Sequence, residues 1–370
     1  MSDPRAPRIG EAAPWFACRT SRRESFSFDT VAGRHIVLFF FGSTTNAEAS
    51  RALEALRGGA GRACFDDEQA ALFGVTTDPE DERQQRVADA LPGVRFFFDF
   101  DGTVSKLYGA LQPDGRFEPR TFILDPTLRV LSSQPLTEGG EAHAAAVLAA
   151  LERLPKTPPS QPAGAHAPVL VTTRVFEPQL CRLLIDYYHT HDPQETGFMR
   201  DVEGETKYII EHEHKRRRDC TIEDERLRLA CMHRIHDRLL SQIERAFQYR
   251  ATRMERYIVA GYSAEEQGHF RPHRDNTTKG TAHRRFAVSL FLNSDYEGGC
   301  LRFPEYGSAL YTAPVGGAVV FSCSLLHEAT PVTRGTRYMF LPFLYDDAAR
   351  RIRDENMQFL DPKLRGESSE

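Results

Sequence analysis

The chain has 370 residues, room for about two domains at ~100–200 residues each. Hydrophobic residues make up 41% and charged residues 27%, the balance of a globular protein able to bury a core. A net charge of −5 gives no electrostatic case for a nucleic-acid or membrane partner, and no apolar run approaches the ~20 residues of a membrane span. The seven cysteines are odd in number and form no C-x-x-C. Neither a disulfide framework nor a zinc ribbon is expected, and free thiols suit a reducing, cytoplasmic location. The opening "MSDPRAPRIGEAAP" has no apolar h-region, so no secretory signal is expected.

In chain order, strand and helix signals first alternate. "HIVLFFFG" (35–42) predicts a buried strand and "AEASRALEALRG" a helix with Ala49, Leu53 and Leu56 on one side. "AALFGVTTD" predicts a strand, "PEDERQQRVADAL" a helix and "VRFFFD" a strand. "RTFILDPTLRVLSSQP" predicts two strands around "DPTL". This alternation argues for an α/β domain over 1–153. The stretch "LPKTPPSQPAGAHAP" (154–168) crowds proline and glycine and reads as a semi-rigid linker. A second domain is expected over 169–349, with a charged tail over 350–370. Its first helix is predicted in "EPQLCRLLIDYYHTH" (177–191). A long second helix is predicted in 221–248, with Thr221 and Asp224 as a capping-box-like start. Ile235, Leu239, Ile243 and Phe247 form its apolar stripe. Short strands follow: "RMERYIVAGYS", "RRFAVSLFLNS", "GCLRFPEYG", "ALYTAP", "AVVFSCSLL" and "RYMFLPFLYDD". Many short strands after helices predict a jelly roll braced by helices.

Within "GHFRPHRDN" (268–276), His273 and Asp275 stand two apart. In an extended segment they share a face and can present a nitrogen and a carboxylate oxygen to one point. His327, in "SCSLLHEATPV" at the end of an apolar strand, can supply the third donor of a two-His-one-carboxylate Fe(II) site. Such a triad leaves positions open for a bidentate 2-oxo acid and dioxygen. Arg337, ten residues further on and on the next strand, can meet the distal carboxylate of that acid.

These pieces make 169–346 resemble the prolyl-hydroxylase branch of the Fe(II)/2-oxoglutarate dioxygenases. The matching segments are "YSAEEQGHFRPHRDN", "LFLNSDYEGGCLRFPEYG", "GGAVVFS" and "HEATPVTRGTRY". The resemblance implies a double-stranded β-helix (jelly roll). It implies His273, Asp275 and His327 as catalytic Fe(II) ligands and Arg337 as the 2-oxoglutarate anchor. It places Tyr262 at a tyrosine that hydrogen-bonds 2-oxoglutarate, with Tyr257 as the alternative. The implied reaction consumes O2 and 2-oxoglutarate, releases succinate and CO2 and hydroxylates an unactivated C–H, with ascorbate as a supporting reductant. Asp275 favours hydroxylation over halogenation, because the related halogenases carry a small residue there.

Residues 7–150 resemble the peroxiredoxin branch of the thioredoxin fold. The segments are "RIGEAAPWF", "GRHIVLFFFGSTTNAEAS", "FGVTTDPED", "FFFDFDGTVSKLYGAL" and "PRTFILDPTLRV". In that family a peroxidatic cysteine opens the helix after the first long strand, where the helix terminus lowers its pKa. Here that segment is "GSTTNAEAS", which has no cysteine, and Cys18 and Cys64 fall outside it. The fold is expected without peroxidase chemistry. Arg120 matches an active-site arginine with no thiolate to serve.

The favoured reading is a hydroxylase of a peptidyl or protein side chain, such as proline. The alternatives are a hydroxylase of a free amino acid or other small molecule, a thiol peroxidase with a regulatory C-terminal half, and a binding scaffold. His269 and His283 read as loop residues. Arg284 and Arg285 read as solvated or structural, and "KRRRDC" (215–220) as a solvated loop or lid contact. The histidines of "EHEHK" (211–215) read as polar residues in preference to a loose metal site, and Cys300 and Cys323 as small core residues. The sequence leaves substrate identity and oligomeric state open.

Overall fold

Eight consecutive buried residues, His35–Gly42, form an inner strand of the first sheet. The computed structural model of the protein describes residues 5–137 and 139–361, in two units, Met1–Gln161 and Pro162–Glu370. The first unit contains β1 (Ala17–Thr20), β2 (Phe26–Ser27), β3 (His35–Gly42), α1 (Ala47–Arg57), α2 (Gly59–Ala63), β4 (Ala70–Thr76) and α3 (Pro79–Arg83). Then come β5 (Val94–Phe98), α4 (Thr103–Leu107), β6 (Arg120–Leu124), β7 (Val130–Pro135) and α5 (Gly140–Glu152). The sheet order is β2-β1-β5-β4-β3-β6-β7, with β3, β4 and β5 parallel. Period-2 alternation sends Ile36, Leu38 and Phe40 to one face and Val37, Phe39 and Phe41 to the other, against α1 and α5. Both faces are covered, so the strand reads as a continuous apolar run. This is the thioredoxin-like α/β arrangement expected of the peroxiredoxin fold.

Two local readings change here. The helix predicted over 79–91 is only α3, because Gln85 turns left-handed at φ 53 and Arg86 N–H bonds back to Asp81 O. The buried Asp81 carboxylate accepts from Thr76 Oγ1 and Thr44 Oγ1, which ties that turn to the sheet. The second change is α5, an alanine-rich helix that the sequence reading does not anticipate.

The second unit opens with β8 (Leu170–Thr172), α6 (Pro178–Thr190), β9 (Gln194–Glu195), β10 (Phe198–Val202) and β11 (Glu205–Ile209). It continues with β12 (Lys215–Arg216), β13 (Arg218–Thr221), α7 (Glu225–Ile235), a π turn His236–Leu240 and α8 (Ser241–Phe247). The remaining strands are β14 (Arg253–Glu255), β15 (Ile258–Ser263), β16 (His269–His273), β17 (Phe286–Phe291), β18 (Glu297–Gly298), β19 (Leu301–Arg302) and β20 (Leu310–Tyr311). They end with β21 (Ala318–Ser322), β22 (His327–Ala329), β23 (Val332–Arg334), β24 (Thr336–Phe340) and β25 (Phe343–Tyr345), before α9 (Asp347–Asn356). The larger sheet runs β14-β25-β17-β24-β15-β13-β9, with β21 and β8 added beside β17. The smaller runs β12-β16-β22-β19-β20. Phe291, Phe321 and Met339 of the larger sheet meet Leu301 and Ala329 of the smaller in one core. The outer face of the larger sheet packs on α6, α7 and α8 through Leu184, Ile235, Leu239 and Ile243. This is a double-stranded β-helix braced by helices.

The predicted helix over 221–248 starts later than its capping signal suggests. Thr221 pairs with Ile258 in the sheet, and Asp224 itself caps α7 by accepting from Leu227 N–H. Arg256, at φ 64, divides "RMERYIVAGYS" into β14 and β15. Residues 362–370 of the expected tail lie outside the described residues.

At the end of β14, Glu255 accepts from His283 Nε2 at 2.9 Å and Arg284 Nε at 2.8 Å. Burial alone would raise its carboxyl, but His283 and Arg284 outweigh it and push it from 4.5 down to about 2. A depressed carboxyl stabilises the fold above its unfolded value and loses that contribution as pH falls through the folded value. Stability worth on the order of 3 kcal/mol should therefore fade between pH 4.5 and about 2. Urea midpoints across that window should show Glu255→Gln with a flatter acid limb than the wild type. Parallel limbs would remove Glu255 from the account.

Candidate metal centre

The His273–Asp275 pair is set by β16 and the turn that follows it. β16 pairs with β22 so that His273 lies opposite His327, with a register shift between Phe270 and His273. Asp275 N–H bonds Cys323 O at 2.9 Å, which brings its carboxylate back over the two rings. His273 Nε2 lies 3.6 Å from Asp275 Oδ1, and His327 Nε2 lies 3.3 Å from Asp275 Oδ2. The donor atoms of His273, Asp275 and His327 all lie within 4.8 Å of one another. His327 heads its own short strand, β22, after a turn from β21, rather than ending the apolar strand.

The donor set fits a divalent metal. His273 Nδ1 bonds Arg271 O at 2.7 Å, and His327 Nδ1 bonds Leu325 O at 3.0 Å. A ring nitrogen that donates to a carbonyl holds its proton, so both Nε2 atoms keep a free lone pair at the centre. Burial and the neighbouring His273 push His327 down to about 4, despite Asp275, so it is neutral at ordinary pH. Asp275 resists burial through His327 and His273 and stays ionised well below the usual carboxylate range. Two imidazoles and one carboxylate on one side leave the opposite positions of an octahedron open.

The centre opens into a cavity of about 590 Å³, within the range of small-molecule sites. Arg337 lines it from β24, only 1% exposed. No carboxylate among the described residues pairs with it, and its Nε has no hydrogen-bond partner. β23 intervenes between His327 and Arg337, so the arginine is one short strand further on than expected. Gly299, at φ +61, lies beneath it; a Cβ there would come within 2.9 Å of Arg337 Cδ. Tyr262 stands directly opposite Arg337 in the sheet and also lines the cavity. Tyr257 does not reach the site; it packs against Phe340 and lies beneath the Arg228 guanidinium on the helix side.

The basic stretch at 215–220 is solvated on one face only, with Arg218 exposed. Lys215 and Arg217 are 3% and 5% exposed and line the cavity with Asp219 and Arg256. Arg217 donates to Asp219 Oδ2 at 2.6 Å and to the Tyr262 hydroxyl at 3.2 Å. Strand alternation was the available signal: Lys215, Arg217 and Asp219 point in while Arg216 and Arg218 point out. His269 lies in β16 rather than in a loop, His283 lies in the turn before β17, and both are buried. His269 bonds the carbonyls of Gln267 and Glu213, and His283 bonds Glu255. His212 pairs with Glu195, and Arg284 lines the cavity while bound to Glu255.

In the first unit, Asn46 caps α1 by accepting from Glu48 N–H and Ala49 N–H, each at 3.1 Å. Thr44 beside it is bound to Asp81. Arg120 has an unpartnered Nε on β6. Cys18 lies on β1, where burial pushes its thiol up to about 12. Burial also raises Cys64.

Residues 256–345 match the model of the 2OG-Fe(II) oxygenase superfamily, and residues 9–132 match that of the AhpC/TSA family. Over 92 residues the chain is 37% identical to the multifunctional procollagen lysine hydroxylase and glycosyltransferase of Caenorhabditis elegans. That match covers 24% of this chain and only 12% of the relative's length. Among solved structures, a prolyl hydroxylase from Trichoplax adhaerens is similar at 16% identity and TM-score 0.40, over 50% of this chain and 86% of that one. A peroxidoxin from Mycobacterium tuberculosis is similar at 19% identity and TM-score 0.35, over 40% and 99%. No helix among the described residues is long and apolar enough to cross a membrane. The chain therefore joins a domain of the AhpC/TSA family, matched over 9–132, to a domain of the 2OG-Fe(II) oxygenase superfamily, matched over 256–345.

Proposed function

We propose that the second domain is an Fe(II)- and 2-oxoglutarate-dependent dioxygenase that hydroxylates an unactivated C–H on a peptidyl or protein side chain such as proline. The observation that carries this is one cavity holding both the His273–Asp275–His327 donor set and a buried Arg337 that no carboxylate among the described residues balances. When bound, Fe(II) with 2-oxoglutarate activates O2, and one oxygen enters the C–H while the other leaves in succinate beside CO2. The chain's own part is placement. His273, Asp275 and His327 hold the metal on one side. Arg337 takes the distal carboxylate of 2-oxoglutarate as a fixed two-pronged donor, and Tyr262 adds a hydroxyl beside it. The apolar walls, Phe321 and Leu301 among them, shelter the reacting centre from water. A lysine hydroxylase among the relatives supports a protein side chain as substrate.

The test is incubation with Fe(II), 2-oxoglutarate, ascorbate and candidate peptides or free amino acids. Mass spectrometry should show one added oxygen in step with succinate. Oxygen added only to free amino acids would select the small-molecule alternative. Absence of succinate under every condition would remove the oxygenase activity.

A reducing, cytoplasmic setting is proposed from the cysteine usage, seven in number and without C-x-x-C. The first domain, 1–153, is proposed to serve docking or substrate binding rather than peroxide reduction, with 154–168 as linker. Its two thiols should alkylate slowly at neutral pH and consume no hydrogen peroxide at catalytic rates. Fast peroxide loss that disappears in Cys18→Ser or Cys64→Ser would restore the peroxidase alternative.

A further inference from the structure

Arg337 is one of two cationic stations in the cavity. The second is built from Lys215, Arg217 and Arg256, which all line the same space. These three cations share one carboxylate. Arg217 and Arg256 both donate to the same oxygen, Asp219 Oδ2, at 2.6 and 3.2 Å. Lys215 Nζ donates to Gly197 O, a neutral acceptor, and lies over the Phe270 ring. Arg217 Nε has no partner. Burial and the neighbouring Arg217 push the Lys215 ammonium well below its ordinary range against the pull of Asp219, and an anion seated beside it would favour the charged form.

A buried cation left uncompensated is costly, and such clusters persist where an anion completes them. Among the other charged residues that line the cavity, Arg200 pairs with Glu211 and Arg274 with Glu305, while the exposed Asp201 accepts from Thr206 Oγ1 and Lys279 N–H. Arg284 is bound to Glu255, and Asp275 belongs to the metal centre. Tyr262 separates the two stations: its ring carries Arg337 at 5.2 Å and Arg217 at 5.6 Å. One small dicarboxylate held at Arg337 and the metal leaves the Lys215 side unfilled.

We propose that Lys215, Arg217 and Arg256 form a second anion site in this cavity, which seats a carboxylate of the substrate. This rests on the oxygenase reading and narrows its substrate class. The carboxylate is either the α-carboxylate of a free or C-terminal amino acid or the side chain of an acidic residue in a peptide. Arg256 reaches the site from a left-handed residue, φ 64, between β14 and β15, a conformation that is strained for a residue with a Cβ.

The test uses the full chain loaded with Zn(II) in place of iron, saturated with 2-oxoglutarate and kept free of oxygen. Two matched pairs are titrated calorimetrically: N-acetylglycine against its amide, and acetyl-aspartate amide against acetyl-asparagine amide. In at least one pair the acid should bind about tenfold or more tighter than the amide, as charge-assisted hydrogen bonds imply. The first pair reports an α-carboxylate and the second an acidic side chain. Lys215→Met and Arg256→Gln should each shrink that ratio to a few-fold or less. The proposal is overturned by acid and amide behaving alike in both pairs, absence of binding by all four included. It is also overturned by a ratio that survives both substitutions. The prior 2-oxoglutarate titration on the same wild-type sample separates the two levels. If 2-oxoglutarate does not bind, the oxygenase reading fails; if it binds and the pairs do not discriminate, only the second anion site fails.

Discussion

Asp275→Ala is expected to abolish 2-oxoglutarate turnover and weaken divalent-metal binding by more than about 100-fold. Changing groups that merely support a ligand already costs about 10–100-fold, and Asp275 supplies the donor itself. It is also the only anion in the donor set, so its loss leaves two imidazoles to hold a dication. Metal affinity by calorimetry and succinate formation should fall together. Asp275→Glu lengthens the side chain by one methylene in a buried site and should recover little of either. Full metal affinity in Asp275→Ala would mean that the metal sits elsewhere.

Arg337→Met is expected to separate function from stability. The 2-oxoglutarate affinity should drop by about 100-fold or more, since a desolvated charge pair truncated on one side costs about 2–5 kcal/mol. Metal affinity should stay within a few-fold of the wild type, because Arg337 is not among the donor atoms. The metal-free protein should melt at the same temperature or higher, because methionine replaces a buried cation that no carboxylate balances. Thermal melts with and without 2-oxoglutarate read both effects. A large loss of stability without the ligand would show that Arg337 serves the core instead.

The candidate donor residues were legible as a His-x-Asp pair, a histidine just after an apolar strand and an arginine ten residues on. Nearly continuous apolar runs likewise marked β3, β4 and β17 closely. What was missed depends on contacts distant in sequence. Lys215 and Arg217 read as solvated because a run of cations ordinarily faces water. Only the pairing of β12 with β16, and of β13 with β15, turns alternate members inward. The choice between Tyr257 and Tyr262 was closed to spacing, since it turns on the break at Arg256. The predicted helix over 79–91 was cut short by a buried carboxylate, Asp81, whose partners Thr44 and Thr76 lie on other elements. Thr221 gave a capping signal that the sheet overrode by taking it into β13.

The central claim is that His273, Asp275 and His327 hold a metal whose open positions take 2-oxoglutarate, with Arg337 at the other end of the ligand. It is tested most directly by anaerobic optical titration of the full chain with Fe(II) and then 2-oxoglutarate. A weak visible charge-transfer band should grow to saturation with one equivalent of iron. It should be absent in His273→Ala and should need far more 2-oxoglutarate in Arg337→Met. A protein that binds iron and shows no band at saturating 2-oxoglutarate, or an unchanged band in His273→Ala, would contradict the account.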